Sequence, residues 1–343
     1  MSSSIRRRRR AAVPPAPLPQ RLGIDPVHLR LPEPDPAEPA PATVGEWLRR
    51  RYAHGAGAAA VVRLLAEGAI VDADGRPVAA GDPYRAGAHL WFHRELPPEV
   101  PVPFEIPVLH RDERLLVVDK PHFLAGTPRG GHVVQTALAR LRHTLDLPEL
   151  APAHRLDRLT AGVLMFTVRP EDRGAYQGLF RDRRIHKTYE AVAPYDPARA
   201  AELPVTVRSH IEKTPGVIAA VELPDAEPNA ESLVELVEAR PETGLARYRL
   251  TPHTGRTHQL RVHMNRLGLP ILGDPIYPEV TDPDPDDFRR PLQLLARSLE
   301  FTDPRTGERH VFRSARTLRA WTDPTGWALD QRTGPAPELS PGP

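Results

Sequence analysis

The order of hydrophobic and polar residues predicts two regions of regular structure with proline-rich sequence around them. Residues 1–42 contain ten prolines and almost no periodic apolar pattern, so we expect a disordered tail there. Thr43 is followed three residues later by Glu46, a spacing typical of the capping box that begins a helix. A second helix and two short strands complete a small predicted domain over 43–96.

Beyond a proline-rich linker at 97–107, strands and helices alternate without a fixed rhythm. Residues 115–118 and 162–168 are almost wholly apolar and predict buried strands. Because the elements do not follow a repeated β–α–β order, residues 108–325 predict an α+β domain rather than a doubly wound parallel sheet. Residues 326–343 predict a second disordered tail.

Composition excludes several classes of protein. The 343 residues include no cysteine, which excludes disulfide scaffolds, thiolate metal sites and cysteine nucleophiles. The apolar runs fall far short of the roughly 18 residues that cross a bilayer. Lysine and arginine number 46 against 44 acids, so the net charge does not indicate a nucleic-acid partner. Prolines interrupt the arginine-rich start of the chain, and we therefore expect a cytoplasmic protein rather than a secreted one.

A charged loop precedes the second predicted buried strand. The sequence HRLDRLTAG at 154–162 places Asp157 between Arg155 and Arg158. Such a loop, taken alone, is more often a solvated turn. Where the chain passes into the core, however, the two cations would keep the carboxylate ionised, which suits a nucleophile or a base.

A second polar run, LTPHTGRTHQLRVHM at 250–264, contains histidines that suggest a metal site at first sight. His253, His258 and His263 are spaced by five residues, which turns neighbouring side chains about 140° apart on a helix. Zinc-binding helices place two histidines four residues apart, so we expect no metal. The turn within this run suits an anion held by backbone amides and arginines.

Five blocks, in the order found here, closely resemble the RNA pseudouridine synthases of the RluA type, which modify uridines in bacterial 23S ribosomal RNA and in some transfer RNAs. They are LLVVDKP at 115–121, HRLDRLTAG at 154–162, FRDRRIHKTY at 180–189, TGRTHQLRVH at 254–263 and LPILGDPIY at 269–277. The resemblance implies a pseudouridine synthase fold over 108–325, with a central mixed, largely antiparallel sheet flanked by helices. The chain departs from the usual pattern at Asp119, Ala161 and Leu295, none of them a catalytic position.

The resemblance implies an isomerase that needs neither cofactor nor metal. The uracil is cut from its ribose nitrogen bond, turned while bound and rejoined through carbon. Asp157 matches the essential aspartate, Arg261 the arginine that pairs with it, and Tyr189 the aromatic that lies against the target base. Arg155 matches a residue that enters the space left by an extruded uridine. The other expected substrate-binding residues are Lys120, Arg158, Lys187, Thr254, Gly255, Arg256 and His258.

The resemblance also implies an RNA partner. Ribosomal RNA is the first expectation and transfer RNA the alternative, and we expect a monomer. The 43–96 domain is similar to the small αL RNA-binding motif, whose arginines, here Arg49, Arg50, Arg51 and Arg63, would face RNA. A catalytically inactive RNA-binding protein is a second reading of the same scaffold, although Asp157, Tyr189 and Arg261 together speak against it. A glycoside hydrolase would need a second carboxylate, which these motifs lack.

Overall fold

The computed structural model describes residues 13–37, 39–53, 57–96, 98–281, 283–284 and 286–329. The chain divides into two compact units, which adjoin in sequence between Pro98 and Glu99. Residues 1–12 and 330–343, which belong to the two predicted tails, lie outside the described residues. Over the described ranges, no helix combines the length and the apolar character that spanning a bilayer requires.

The described residues of the first unit form two short strands and two helices. They are β1 (Val27–Arg30), α1 (Val44–Arg51), α2 (Gly57–Ala66) and β2 (His89–Phe92). β1 pairs antiparallel with β2, and Leu29 and Leu31 are buried in the core of the unit. The prediction that 1–42 is a disordered tail is therefore wrong for this segment. Its partner strand lies far along the chain, so the local pattern could not reveal it.

The predicted start of α1 is confirmed, since Thr43 Oγ1 accepts a hydrogen bond from the Glu46 amide at 3.2 Å. Two of the arginines expected to face RNA are already engaged in ion pairs. Arg50 bonds to Glu46, and Arg63 bonds to Glu95. The two helices agree with the expected small domain, while its identity as an αL RNA-binding motif stays a prediction.

The second unit is built on a large sheet with few helices. Its strands are β3 (Val108–Arg111), β4 (Leu115–Lys120), β5 (Ala151–Pro152), β6 (Ala161–Thr167), β7 (Ile185–Pro194), β8 (Val205–Glu212), β9 (Val221–Leu223), β10 (Ala230–Arg240), β11 (Leu245–Pro252), β12 (Leu294–Thr302) and β13 (Arg309–Arg313). Its helices are α3 (Ala137–Leu145), α4 (Arg173–Arg181), α5 (Pro197–Ala200), α6 (Gln259–Arg266), α7 (Arg319–Thr322) and α8 (Pro324–Leu329).

The strands follow the order β3, β4, β6, β12, β7, β11, β10, β8, β9, with β5 beside β6 and β13 beside β12. β6 and β12 pair in parallel, and the other pairs of these strands are antiparallel. The predicted α+β class with a mixed, largely antiparallel sheet is confirmed. β4 and β6 are buried along their whole lengths, because apolar side chains on both faces need cover from both sides.

The predicted linker at 97–107 belongs largely to the second unit. The Glu99 carboxylate accepts hydrogen bonds from the amides of Val133, Val134 and Gln135 at 2.8 to 3.0 Å, and Val102 is buried. These contacts connect the segment to the residues just before α3. A high proline content predicts that no helix or strand forms. It does not indicate whether the segment packs against a folded unit.

The C-terminal boundary also differs from the prediction. Trp327 in α8 is buried in a cluster that includes Leu318 and Trp321. The expected disordered tail at 326–343 is therefore wrong for residues 326–329, because a large aromatic anchors the final helix to the unit.

Candidate active site

Asp157 lies in the loop between β5 and β6, where two clefts join. The larger cleft has a volume of about 1180 Å³ and the smaller about 770 Å³. Five residues line both clefts: Arg155, Leu156, Asp157, His258 and Arg261. The Asp157 side chain is 35% exposed, so its carboxylate can meet a substrate that enters from either side.

Lys120 supports this loop from inside the protein. It is fully buried, and its ammonium donates to the carbonyls of Pro121, Leu124 and Arg158 at 2.7 to 3.2 Å. Burial lowers the pKa of Lys120 to about 7, although the Asp157 charge opposes the shift. The expectation that Lys120 binds substrate is wrong, because a side chain with three internal acceptors and no exposure cannot reach RNA.

His154, at the start of the same loop, has a structural role that the sequence did not reveal. Its Nε2 accepts a hydrogen bond from the Met165 amide at 3.1 Å, and its ring stacks on Phe180 at 4.4 Å between centroids. Burial lowers the pKa of His154 to about 3, with the Lys187 charge adding to the shift. The neutral imidazole thus joins the loop to β6 and to α4.

Arg261 lies on α6 with one guanidinium nitrogen near Asp157. The carboxylate closest to that guanidinium, however, belongs to Asp274. Arg261 Nη1 is 4.0 Å from Asp157 Oδ2, whereas Nε and Nη2 donate to the Asp274 carboxylate at 2.7 and 2.5 Å. Burial alone would lower the pKa of Arg261, but Asp274 and Asp157 outweigh it and raise the pKa. Arg261 thus faces Asp157 as the resemblance implies, but it makes a second and closer ion pair with Asp274 that the sequence did not indicate.

Asp274 is a second residue near the Asp157 loop that sequence reasoning missed. It is the only charged residue in LPILGDPIY, a block whose acid has no role in what the resemblance implies. A lone carboxylate in an apolar string usually has a buried partner. That rule would have singled out Asp274 but could not have named Arg261.

Tyr189 lies on β7, between Leu250 of β11 and Ala296 of β12. It packs against apolar residues of two core clusters and lines the larger cleft together with Asp157. Burial raises the pKa of Tyr189, and the Asp157 charge raises it further. The hydroxyl therefore stays protonated at neutral pH, beside the carboxylate.

The larger cleft is rich in cations. Its basic lining residues are Arg155, Arg181, Arg183, Arg184, Lys187, Arg256 and Arg261. The predicted residues Lys187, Thr254, Gly255, Arg256 and His258 all lie here, whereas Arg158 lines the smaller cleft. Clustered arginines suit the phosphates of a nucleic acid better than an uncharged ligand.

The turn before α6 is fixed by its own hydrogen bonds. Thr254 Oγ1 donates to Gln259 Oε1 at 2.7 Å and accepts from the Glu231 amide at 2.9 Å. Lys187 donates to the Thr254 carbonyl at 3.3 Å. Thr254 thus shapes the turn, while Gly255 has open space beside it where a phosphate could approach the backbone.

The three histidines of this region have separate partners. His253 Nδ1 lies 2.9 Å from Glu231, His258 Nδ1 lies 3.1 Å from the Tyr277 hydroxyl, and His263 Nε2 lies 3.1 Å from Ser209 Oγ. Across the described part of the chain, no group of three potential ligand side chains could hold a metal ion.

The chain is similar to known enzymes over most of the second unit. Residues 114–266 match the family model of RNA pseudouridylate synthases. The dual-specificity RNA pseudouridine synthase RluA of Haemophilus influenzae is 31% identical over 217 residues, which cover 60% of this chain and 90% of that protein. The ribosomal large subunit pseudouridine synthase D of Pseudomonas aeruginosa is 29% identical over 258 residues, or 70% of this chain and 78% of that protein.

A solved structure agrees at the level of the fold. Human RNA pseudouridylate synthase domain containing 1 aligns with 68% of this chain and 97% of its own, with a TM-score of 0.52 at 24% identity. The matched region 114–266 holds four of the five sequence blocks, together with Asp157, Tyr189 and Arg261. The chain belongs to the RluA-type family of RNA pseudouridine synthases, isomerases that convert uridine to pseudouridine in RNA.

Proposed function

We propose that this enzyme isomerises specific uridines of large-subunit ribosomal RNA, with Asp157 as the catalytic carboxylate. One observation carries the assignment of the site. Asp157, Tyr189 and Arg261 come from three elements far apart in sequence and all line one cation-rich cleft. A partly exposed carboxylate, a neutral tyrosine and a buried arginine thus line one cleft, where an extruded base can meet all three.

The reaction conserves every atom of the uridine except one exchanged proton. The bond from ribose C1′ to uracil N1 breaks, the uracil rotates while bound, and a bond from C1′ to uracil C5 forms as C5 loses its proton and N1 gains one. The Asp157 carboxylate serves either by attack on the sugar or base or by removal of a ribose proton. Both routes need the carboxylate in its ionised form.

The target uridine reaches Asp157 by leaving the base stack. The Tyr189 ring offers the extruded uracil a stacking face, which is worth about 1 to 3 kcal/mol for a base on an aromatic side chain. Arg155 is exposed and lines both clefts, so its guanidinium is placed to occupy the space that the uridine leaves. Together these contacts offset part of the cost of unstacking.

Several further features support the choice of RNA partner. The relative from Pseudomonas aeruginosa is named for the large ribosomal subunit, whereas the dual-specificity relative keeps transfer RNA as the alternative. If the first unit is an αL motif, its arginines, such as Arg49, add contacts to RNA phosphates. We propose a monomer, since one copy of the chain carries all the residues of the site. We also propose that the protein is cytoplasmic, as expected from its sequence.

The test is the formation of pseudouridine by purified enzyme in ribosomal and transfer RNA transcripts, mapped at single-nucleotide resolution. Asp157→Asn should bind RNA normally but lose about 1,000-fold or more in turnover, because the amide cannot act as nucleophile or base. Asp225→Asn, an exposed acid outside both clefts, is the matched control and should keep full activity.

The outcomes separate the parts of the proposal. Pseudouridine in transfer RNA alone would overturn the ribosomal assignment and leave the site intact. An Asp157→Asn variant with more than a few per cent of wild-type turnover would remove Asp157 from the mechanism.

A further inference from the structure

We infer that Asp274 is a positioning residue for the isomerisation, which holds the Arg261 guanidinium so that one nitrogen faces Asp157. The inference rests on the proposed catalytic role of Asp157. The role of Asp274 is to set the distance and direction of the positive charge beside Asp157.

Arg261 and Asp274 form a two-bond pair inside the protein. Arg261 Nε donates to Asp274 Oδ2 at 2.7 Å and Nη2 to Oδ1 at 2.5 Å. The two side chains are only 3% and 1% exposed. Water therefore cannot replace the carboxylate, and the orientation of the guanidinium plane follows that of Asp274.

Asp274 is itself fixed by the turn that contains it. Its Oδ1 also accepts hydrogen bonds from the amides of Ile276 and Tyr277 at 2.9 and 3.2 Å. The Tyr277 ring lies against the guanidinium of Arg261, with 5.2 Å between the guanidinium carbon and the ring centroid. The turn thus presents a rigid carboxylate to α6 rather than a mobile surface acid.

The pair leaves Arg261 Nη1 as the nitrogen that faces Asp157. That nitrogen is 4.0 Å from Asp157 Oδ2, too far for a hydrogen bond but near enough for its charge to act on a carboxylate that is only partly exposed. The Arg261 charge thus acts on Asp157 without a hydrogen bond between them, and the Asp157 carboxylate stays available to substrate. Loss of Asp274 would let the guanidinium turn toward Asp157 and engage it directly.

The first measurement compares chemistry with binding in Asp274→Asn, which keeps the side-chain size but removes the charge and one acceptor. We expect the single-turnover rate at saturating RNA to fall about 100-fold, as for a displacement of roughly 1 Å near the reacting group. The Kd for RNA should stay within about threefold of wild type, because the side chain is buried. Asp172→Asn is the control, since that carboxylate is 6% exposed, pairs with Arg305 at 3.0 Å and lines neither cleft.

The control should lose melting temperature and keep its rate. The same pattern in Asp274→Asn would assign Asp274 a purely structural role and overturn the inference. Asp157→Asn in the same assay tests the proposed function separately, because activity in that variant would remove Asp157 without bearing on the Asp274–Arg261 pair.

A double-mutant cycle tests whether Asp274 acts through Arg261. In an Arg261→Met background, Asp274→Asn should cause no further loss of rate, because the group it positions is gone. Losses that multiply in the double variant would overturn the inference. The double variant buries no unpaired charge, so it gives an answer even where Asp274→Asn alone fails to fold. In that case the comparison with Arg261→Met decides, since Asp274 in that variant keeps its hydrogen bonds from the amides of Ile276 and Tyr277.

Discussion

At the scale of single residues, Tyr189 belongs both to the core and to the cleft. Its ring packs against two apolar clusters, yet it lines the cleft beside Asp157. A purely structural tyrosine and a base-stacking one predict different losses on substitution. Comparing catalysis with stability therefore identifies which role dominates.

We expect Tyr189→Leu to lose roughly 10- to 100-fold in turnover, which corresponds to the loss of one base-stacking contact, with only a modest fall in melting temperature. Tyr189→Phe keeps the ring and should retain RNA affinity, so its rate reports on the hydroxyl alone. Tyr248→Leu is the matched control, because Tyr248 is fully buried and lines neither cleft. In the control we expect turnover and melting temperature to fall together. The same result in Tyr189→Leu would show that Tyr189 is a core aromatic only.

At the scale of elements, the parallel contact between β6 and β12 positions the Asp157 loop. Gly162 opposes Ala296 in that pair and has φ +113°, a conformation that strains any residue with a side chain. A Cβ at Gly162 would lie 2.2 Å from the Ala296 carbonyl oxygen. The two strands can approach this closely only with glycine at that position.

Gly162→Ala should therefore destabilise the second unit by about 3 kcal/mol or more, through backbone strain and separation of the strands. Urea unfolding of the two proteins measures the difference. Gly174→Ala in α4 is the control, because nothing lies within 4 Å of its Cβ position and alanine favours the helix. Equal stability of Gly162→Ala and wild type would show that β6 and β12 can separate at no cost.

At the scale of the whole molecule, three partly or fully buried imidazoles make the free energy of unfolding depend on pH. Burial lowers the pKa of His154 to about 3, and that of His122 and His263 to about 4, from 6.5 in the unfolded chain. Below pH 6.5 these three histidines bind protons in the unfolded chain but stay neutral in the folded chain. The stabilisation is thus complete above pH 6.5 and is lost as the pH falls toward 3 to 4.

Melting temperatures between pH 7.5 and pH 4.5 test this dependence. The wild type should lose stability steadily over that range, and His154→Gln should lose it less steeply, because one titrating group is gone. His186→Gln, a change at an exposed position, should follow the wild-type slope. Parallel curves for His154→Gln and wild type would contradict a neutral, buried imidazole at this position.

The boundary between the two units predicts which truncation keeps the enzyme folded. Removing residues 1–98 should leave a soluble, active second unit that binds RNA more weakly and with less dependence on salt, since each lost phosphate contact lowers the slope by roughly 0.7 to 0.9. Removing two more residues should cost stability, because the Glu99 carboxylate holds the amides of residues 133–135. Equal salt slopes for the full chain and the 99–343 protein would contradict the αL assignment.

The sequence by itself determined the family, the mixed α+β class and the candidate site residues Asp157, Tyr189 and Arg261, because local motifs record the residue types that the chemistry requires. The cap at Thr43 was also readable, since a capping box spans only three residues. These features depend on neighbours in the chain and need no knowledge of what lies across the fold.

Only the tertiary structure decided which distant groups became partners. Arg261 is committed to Asp274, Lys120 turns inward to three carbonyls, and β1 pairs with a strand at the far end of its unit. Each of these pairings depends on burial, because a buried polar group or strand edge without a partner raises the free energy of the folded state. That cost acts between residues that chain spacing does not bring together, so a local pattern can indicate that a partner exists but cannot identify it.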